Sequence, residues 1–323
     1  MRSPSCSIVS LLLIVVVFFL YYLVFGNYDE EMEQDERMKP SPVFYAEPQC
    51  DCNAVRYLFI IYTAVTHFEA RAMQRVAYST PENQALYSFC WYFFVGRPES
   101  SQMEGRLMRE ARQHGDVIIG DFIDSYRNLT MKGLFWMRYV HLNCPNTKVL
   151  LKVDDDVAIN LRGLMHRLFI QPVPPRSISG YVYHRAEADR RRESKAYISW
   201  WEYPDRFWPN YTYGMAYVAT RDAVEPMLRA AENQMVYISV DDVAVTGLLA
   251  QPAGIRRIGM KNWLSDAENS TTELLLGRAL FSLLHEEDDL VSLAMYAKRI
   301  PLSVIATDDV YVEDHTTWVK KGD

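Results

Sequence analysis

The chain has 323 residues, 49% hydrophobic and 23% charged, with a formal net charge of −7. This is ordinary globular composition, long enough for one large domain or two small ones. The acidic balance argues against a nucleic-acid backbone as partner, and no internal repeat or low-complexity tract stands out.

From Ile8 to Phe25 the sequence is apolar except for Ser10 and two tyrosines. At ~1.5 Å per residue that stretch spans a bilayer with some interfacial help, and Tyr21 and Tyr22 suit the interface. A cleavable signal would have a shorter apolar core and a small-residue exit. Arg2 precedes the run, and Asp29, Glu30 and Glu31 follow it, so the short tail is expected in the cytoplasm and the rest across the membrane. The expected division is a tail over 1–7, a transmembrane signal-anchor over 8–26, a lumenal stem over 27–54 and a folded domain over 55–323. The stem is acidic and then carries Pro40, Pro42 and Pro48, as an exposed linker does.

Cys50, Cys52, Cys90 and Cys144 lie beyond the span, and an oxidising compartment permits two disulfides in three pairings. Cys50 and Cys52 are too close to pair with each other, and the four lack the CxxC spacing of a zinc site. Asn128-Leu-Thr, Asn210-Tyr-Thr and Asn269-Ser-Thr are glycosylation sequons for a secretory protein.

Strands and helices then alternate. Tyr57 to Tyr62 reads as a strand and Phe68 to Ala77 as a helix. Apolar runs at Trp91–Val95 and Val117–Ile119 end at Gly96 and Gly120, and Leu129 to Tyr139 is helical in pattern. Val149 to Val153 is a buried strand by its β-branched, apolar content. Alternation of this kind favours a mostly parallel sheet covered on both faces. Asp154, Asp155 and Asp156 follow at the carboxyl end of the last strand, where α/β sheets bind ligands. Three adjacent carboxylates need a cation or donors to neutralise them, and oxygen-only ligands suit Mg²⁺ or Mn²⁺ with phosphates. An EF-hand loop is disfavoured, because Ala158 stands at its fifth position and no Gly at its sixth. Asn160 caps a helix with Leu161, Leu164, Met165, Leu168 and Phe169 along one face. After Pro175 the pattern changes, and Tyr197 to Tyr217 is dense in aromatics that suit either a sugar-binding wall or a β-rich core.

Several separated segments now fit one pattern. They are Arg71–Tyr78, the run from Gly120 to Lys132, Lys152–Asn160, Glu202-Tyr203-Pro204 through Tyr211 and Gly214, and Asp241-Asp242-Val243 with Thr246-Gly247. In order and spacing, over roughly Val55 to Gln251, the chain resembles the β-1,3-glycosyltransferase family. That family includes β-1,3-galactosyltransferases and β-1,3-N-acetylglucosaminyltransferases. The resemblance implies an α/β, Rossmann-like GT-A domain behind a single transmembrane helix, in a type II Golgi membrane enzyme. It also implies a UDP-sugar donor, Mn²⁺ and inversion at the sugar carbon, with galactose the first choice of sugar and N-acetylglucosamine the second. The implied partners are the UDP-sugar, a glycan acceptor on glycoprotein or glycolipid, and the Golgi membrane; a homodimer is left open. A silent homologue acting as a Golgi partner, or a sugar-binding protein, are the other classes.

The implied roles follow the matching positions. Asp156 with Asp154 holds the metal, and Asp154 and Asp155 alternatively hold the donor. Asp242 is the base, with Asp241 second. Arg71 and Arg75 fall where the donor nucleotide is contacted, with Lys132 reaching it or covering a helix face; Asp121 and Asp124 order the neighbouring loop. Trp201, Glu202 and Tyr211 face the acceptor, and Gly214 permits close backbone approach. The chain departs from the pattern at Asp241, where relatives commonly have Glu, at Tyr78, which stands for tryptophan, and at Gly214-Met215-Ala216, where relatives often have further glycines. From about Asn262 onward the match fades.

Overall fold

In a computed structural model of the chain, the described residues are 15–16, 42–43, 48–234, 238–260, 262–265, 270–285, 288–303, 310–314 and 317–319. The chain divides into two units, Met1–Pro40 and Ser41–Asp323. Of the first, only residues 15 and 16 are described, both helical. The expected span over 8–26 and most of the stem lie outside the described residues. Among those described, no helix is long and apolar enough to cross a membrane.

The second unit is built on a ten-stranded sheet. Its strands are β1 (Pro42–Val43), β2 (Tyr57–Tyr62), β3 (Phe89–Arg97), β4 (Val117–Ile123) and β5 (Val149–Asp154). Further along come β7 (Ser177–Tyr183), β8 (Tyr211–Thr220), β9 (Arg256–Met260), β12 (Val310–Asp314) and β13 (Thr317–Val319). Their spatial order is β1-β4-β3-β2-β5-β8-β7-β9-β12-β13. A smaller sheet joins β6 (Val157–Ile159), β10 (Leu264–Ser265) and β11 (Phe281–Leu283) in the order β10-β11-β6.

Strands β4, β3, β2 and β5 are parallel, as the alternating pattern predicts. Beyond them the sheet is mixed, which corrects the mostly parallel expectation. β8 lies antiparallel to both β5 and β7, while β9 runs parallel to β7. The physical reason is the connection. A parallel return needs a crossover element such as a helix, and residues 184–210 between β7 and β8 contain none, so β8 comes back antiparallel.

On one face, Phe59, Trp91, Phe93, Leu151 and Val153 form a core with residues of helices α1 (Phe68–Ala77), α3 (Ser101–His114), α5 (Leu161–Ile170) and α8 (Leu290–Ala297). Between α1 and α3 lies α2 (Pro81–Tyr87). Side chains alternate along a strand, so Tyr92 and Phe94 point to the other face. There their rings meet Tyr139 and Phe135 of α4 (Leu129–Asn143) edge-on. Further helical elements are α6 (Val224–Gln234), a π-helical turn (Val243–Leu249) and α7 (Ser270–Leu275). Asn160 caps α5 as expected, its Oδ1 accepting from Gly163 N at 2.9 Å, but Phe169 is exposed rather than on the buried face. Of the three possible disulfide pairings, Cys50–Cys90 and Cys52–Cys144 form, tying the segment before β2 to β3 and to the end of α4.

Candidate active site

The carboxyl ends of β2 and β5 open into a cleft of about 770 Å³. That is the edge of a parallel sheet where neighbouring loops diverge and leave room for a ligand. Asp154, Asp155 and Asp156 line it, and so do Asp241 and Asp242.

The three β5 carboxylates occupy different environments. Asp155 is buried, and its Oδ2 takes His67 Nδ1 at 2.9 Å. That contact chiefly raises the His67 pKa. Asp156 is exposed, and its backbone oxygen accepts from Leu284 N at 2.8 Å. Asp154 lies between these extremes, its carboxyl pushed up to about 7 by burial first, against the opposing pull of Lys152.

Lys152 is the feature that sequence reasoning missed. It stands in an apolar strand and is buried, which a lysine accepts only when paired. Its Nζ donates to Asp154 Oδ1 at 2.6 Å and to Gly214 O at 2.5 Å, and lies 4.1 Å from the Tyr62 ring centroid. Burial alone would lower its pKa; Asp154, Asp241 and Asp242 outweigh that and raise it. The signal available in the sequence was a lone cation inside a buried run.

From Gly214 the network reaches Asp242. Gly214 N donates to Asp242 Oδ2 at 3.1 Å, and Val243 N donates to Oδ1 at 2.8 Å. A Cβ on Gly214 would meet the Asp242 Cβ at 3.0 Å, so this glycine lets β8 and the aspartate approach. Asp242 therefore does cap the π-helical turn, and it also faces the cleft. Such turns interrupt normal helices and recur at functional sites. Thr246 Oγ1 secures the turn, accepting from Thr212 N at 2.8 Å. Burial and then Asp241 push the Asp242 carboxyl up to about 7. Asp241 makes no hydrogen bond or ion pair with the other described residues.

Other expected residues divide. Lys132 lines the cleft with its Nζ on Thr63 O at 2.7 Å and Asp124 Oδ1 at 3.1 Å. Asp124 in turn accepts from Gly96 N at 2.8 Å, so the pair fixes the loop after β2. Asp121 sits outside, beside Arg97 at 3.2 Å. Tyr211 and Gly214 line the cleft; Trp201 and Glu202 do not. Trp201 is 97% exposed, and Glu202 accepts from Ser199 N and Oγ. Arg71 and Arg75 lie behind the cleft wall. Arg71 Nη2 meets Glu110 at 2.7 Å while Nη1 holds Ala64 O at 2.6 Å; Arg75 Nε meets Asp116 at 2.7 Å. Tyr78 stacks on Trp91 and accepts Ile159 N–H at 2.8 Å, a packing position. The aromatic segment splits likewise: Tyr203 and Trp208 pack together in a second core, while Trp208, Tyr211 and Tyr213 reach the cleft.

Comparison with known proteins bears on this geometry. The family model described as Galactosyltransferase matches residues 69–261. Beta-1,3-galactosyltransferase 1 of Mus musculus is 28% identical over 220 residues, covering 67% of each chain. Lactosylceramide 1,3-N-acetyl-beta-D-glucosaminyltransferase A of Danio rerio is 32% identical over 166 residues, 49% of this chain and 43% of that one. Among solved structures, a glycosyltransferase involved in glycosylation of the PBCV-1 major capsid aligns with a TM-score of 0.38 at 11% identity, over 76% of this chain and 99% of that one.

Proposed function

Because the chain belongs to the galactosyltransferase family, we propose that it is an inverting, metal-dependent β-1,3-hexosyltransferase using a UDP-sugar. Galactose is the first choice of sugar and N-acetylglucosamine the second, in keeping with the two kinds of relative. The observation that carries the reading is the pair of carboxylate sets in one cleft, open at Asp154–Asp156 and anchored at Asp242.

Charge supports a bound cation. Eight carboxylates line the cleft against two lysines, and Lys132 and Lys152 are already engaged. A diphosphate entering that field meets repulsion unless a divalent ion accompanies it. Among the described residues no group of three His, Cys, Asp or Glu side chains is arranged to hold a metal. Two carboxylates, with remaining ligands from phosphate and water, are the usual provision for a nucleotide-bound hard cation. Asp156 with Asp154 would hold Mn²⁺, which supplies Lewis-acid stabilisation of the charge on departing UDP.

The chain's own residues supply the rest. Lys152 fixes Asp154. Asp242, poised near neutrality and oriented by two N–H groups, takes the proton of the acceptor hydroxyl. The acceptor oxygen bonds to the sugar carbon as the bond to UDP breaks on the opposite face, which gives inversion. Asp241 is the second choice for the base. A GT-A fold, a Golgi type II anchor over 8–26 and a glycoprotein or glycolipid acceptor complete the proposal; two disulfides fit its lumenal placement.

The test is UDP release by the domain from about Cys50 onward, made in an oxidising secretory pathway. UDP-galactose, UDP-N-acetylglucosamine and UDP-N-acetylgalactosamine are each supplied with mixed sugar acceptors, with Mn²⁺ or a chelator. Turnover with one donor, lost with chelator and in Asp156→Ala, names the sugar. Folded protein with neither turnover nor metal-dependent UDP binding sinks the proposal and favours a silent partner.

A further inference from the structure

A second pocket, of about 550 Å³, lies at the end of β7. Its walls include Tyr181 and His184 on one side, Asn262 and Ser265 on another, and Glu273 with Arg278. None of these residues belongs to the catalytic constellation.

Its position in the sheet is informative. β8 is antiparallel to β5, and β7 is antiparallel to β8, so β7 runs in the sense of β5. β9 runs parallel to β7. The carboxyl ends of β5, β7 and β9 therefore share one edge of the sheet, the edge that carries the aspartates. The second pocket opens along the same edge.

A cluster of four tyrosines joins the two. Tyr183 and Tyr211 are register partners on neighbouring strands and stack with ring centroids 5.3 Å apart. Tyr183 meets Tyr213 edge-on at 5.5 Å and Tyr181 edge-on at 5.0 Å. Tyr211 and Tyr213 line the cleft, and Tyr181 lines the second pocket. Tyr181 is thus two ring contacts from the cleft wall at Tyr211. It is 45% exposed although it lies within a strand.

An exposed aromatic face next to hydrogen-bonding groups suits a pyranose. The C–H face of such a sugar packs on a ring, and its hydroxyls need acceptors and donors of the kind that Glu273, Arg278 and Asn262 carry. Glu273 and Arg278 face each other at 3.4 Å with both side chains partly in water, so neither is consumed by a buried pair. Pockets that recognise small polar ligands combine few placed polar groups with a mostly apolar wall in this way.

Resting on the reading of the cleft as a glycosyltransferase site, we propose that this second pocket is a distal acceptor subsite. It holds a sugar of the acceptor chain remote from the hydroxyl that is glycosylated, and the tyrosine cluster is the path between them. The enzyme then selects oligosaccharide over short acceptors.

The experiment compares methyl β-galactoside and methyl N-acetyl-β-glucosaminide with tetrasaccharides of alternating galactose and N-acetylglucosamine that end in each. For the terminal sugar that is used, wild type has a KM for the tetrasaccharide about tenfold below that for the methyl glycoside, or ~1.4 kcal/mol. Tyr181→Ala abolishes the difference by raising the tetrasaccharide KM at unchanged kcat, and Tyr181→Phe, which keeps the ring, restores it. Equal KM values for short and long acceptors in wild type overturn the proposal. So does a Tyr181→Ala variant that loses kcat for both acceptors alike. Saturation-transfer NMR with the tetrasaccharides decides separately from turnover. Contact with wild type that is lost in Tyr181→Ala supports the subsite even if no donor is consumed, and absence of contact with wild type rejects it.

Discussion

Lys152→Met tests whether the buried lysine organises the site. Methionine keeps much of the aliphatic stem in a strand position that is 2% exposed, so packing changes little. What is lost is electrostatic. Asp154 loses its partner at 2.6 Å, and Gly214 O loses its donor at 2.5 Å. Removing one member of a buried ion pair costs ~3–5 kcal/mol. Because Asp154 is 35% exposed, water relieves part of that charge and the lower end applies. An unsatisfied carbonyl adds ~1 kcal/mol. A loss of about 4 kcal/mol follows, which at ~2 °C per kcal/mol for a domain of this size lowers Tm by about 8 °C. Loosening Gly214 also releases one anchor of Asp242, and misplacement by about 1 Å costs ~10²-fold in rate. Thermal melts and UDP release measure the two effects. The decisive variant is Lys152→Met combined with Asp154→Asn, which removes the charge that Lys152 contacts directly. It should regain at least half the lost stability while staying inactive. A single variant within about 1 kcal/mol of wild type, or a double variant no more stable than the single, refutes the reasoning.

Asp242→Asn should lower kcat about 10³-fold with UDP affinity, read by calorimetry, unchanged within about twofold; a loss of less than tenfold moves the base to Asp241. Gly214→Ala places a methyl group 3.0 Å from the Asp242 Cβ and 3.3 Å from its Oδ2. It should reduce kcat about tenfold with little change in Tm, whereas an unaltered kcat would show that the close approach is unimportant. The Asp242 pKa, raised to about 7 from the ordinary carboxylate value, gives opposite trends with pH. A carboxyl raised on folding contributes stability fully below its unfolded pKa and loses it as pH rises through the folded value. The metal-free domain should therefore melt higher at pH 6 than at pH 8, while kcat/KM falls over the same descent because the base becomes protonated. Melting temperature and kcat/KM that move together across that window would contradict the assignment.

The sequence made visible what depends on neighbours in the chain. Tyr57–Tyr62 and Phe68–Ala77 form the strand and helix that their patterns predict, with the expected bounds. β4 runs on to Ile123, where it pairs with Arg97 across a register shift, and α4 runs on to Asn143, beyond the expected ends at Ile119 and Tyr139. Arg71 and Arg75 show the limit more clearly. On their own helix they look like ligand-binding cations, but Glu110 of α3 and Asp116 before β4 engage them, and no local pattern reveals that pairing. Cysteine spacing left two of the three pairings open; the placement of Cys90 on β3 and Cys144 at the end of α4 leaves one.

Asp242 carries the same lesson into the chemistry. Its local sequence predicts a helix cap, and the cap is present. Capping and proton abstraction are compatible here because each carboxylate oxygen accepts one N–H, from Val243 and from Gly214, and a carboxylate has acceptor capacity left over. The second N–H comes from β8, whose position beside β5 also delivers Gly214 O to Lys152. One antiparallel insertion into a parallel sheet thus places Asp154, Lys152 and Asp242, the residue proposed as the base, in a single network. The aspartates at the two ends of that network were readable from the sequence. The connection between them arises only when β8 enters the sheet, and Lys152→Met is the substitution that separates the connection from its ends.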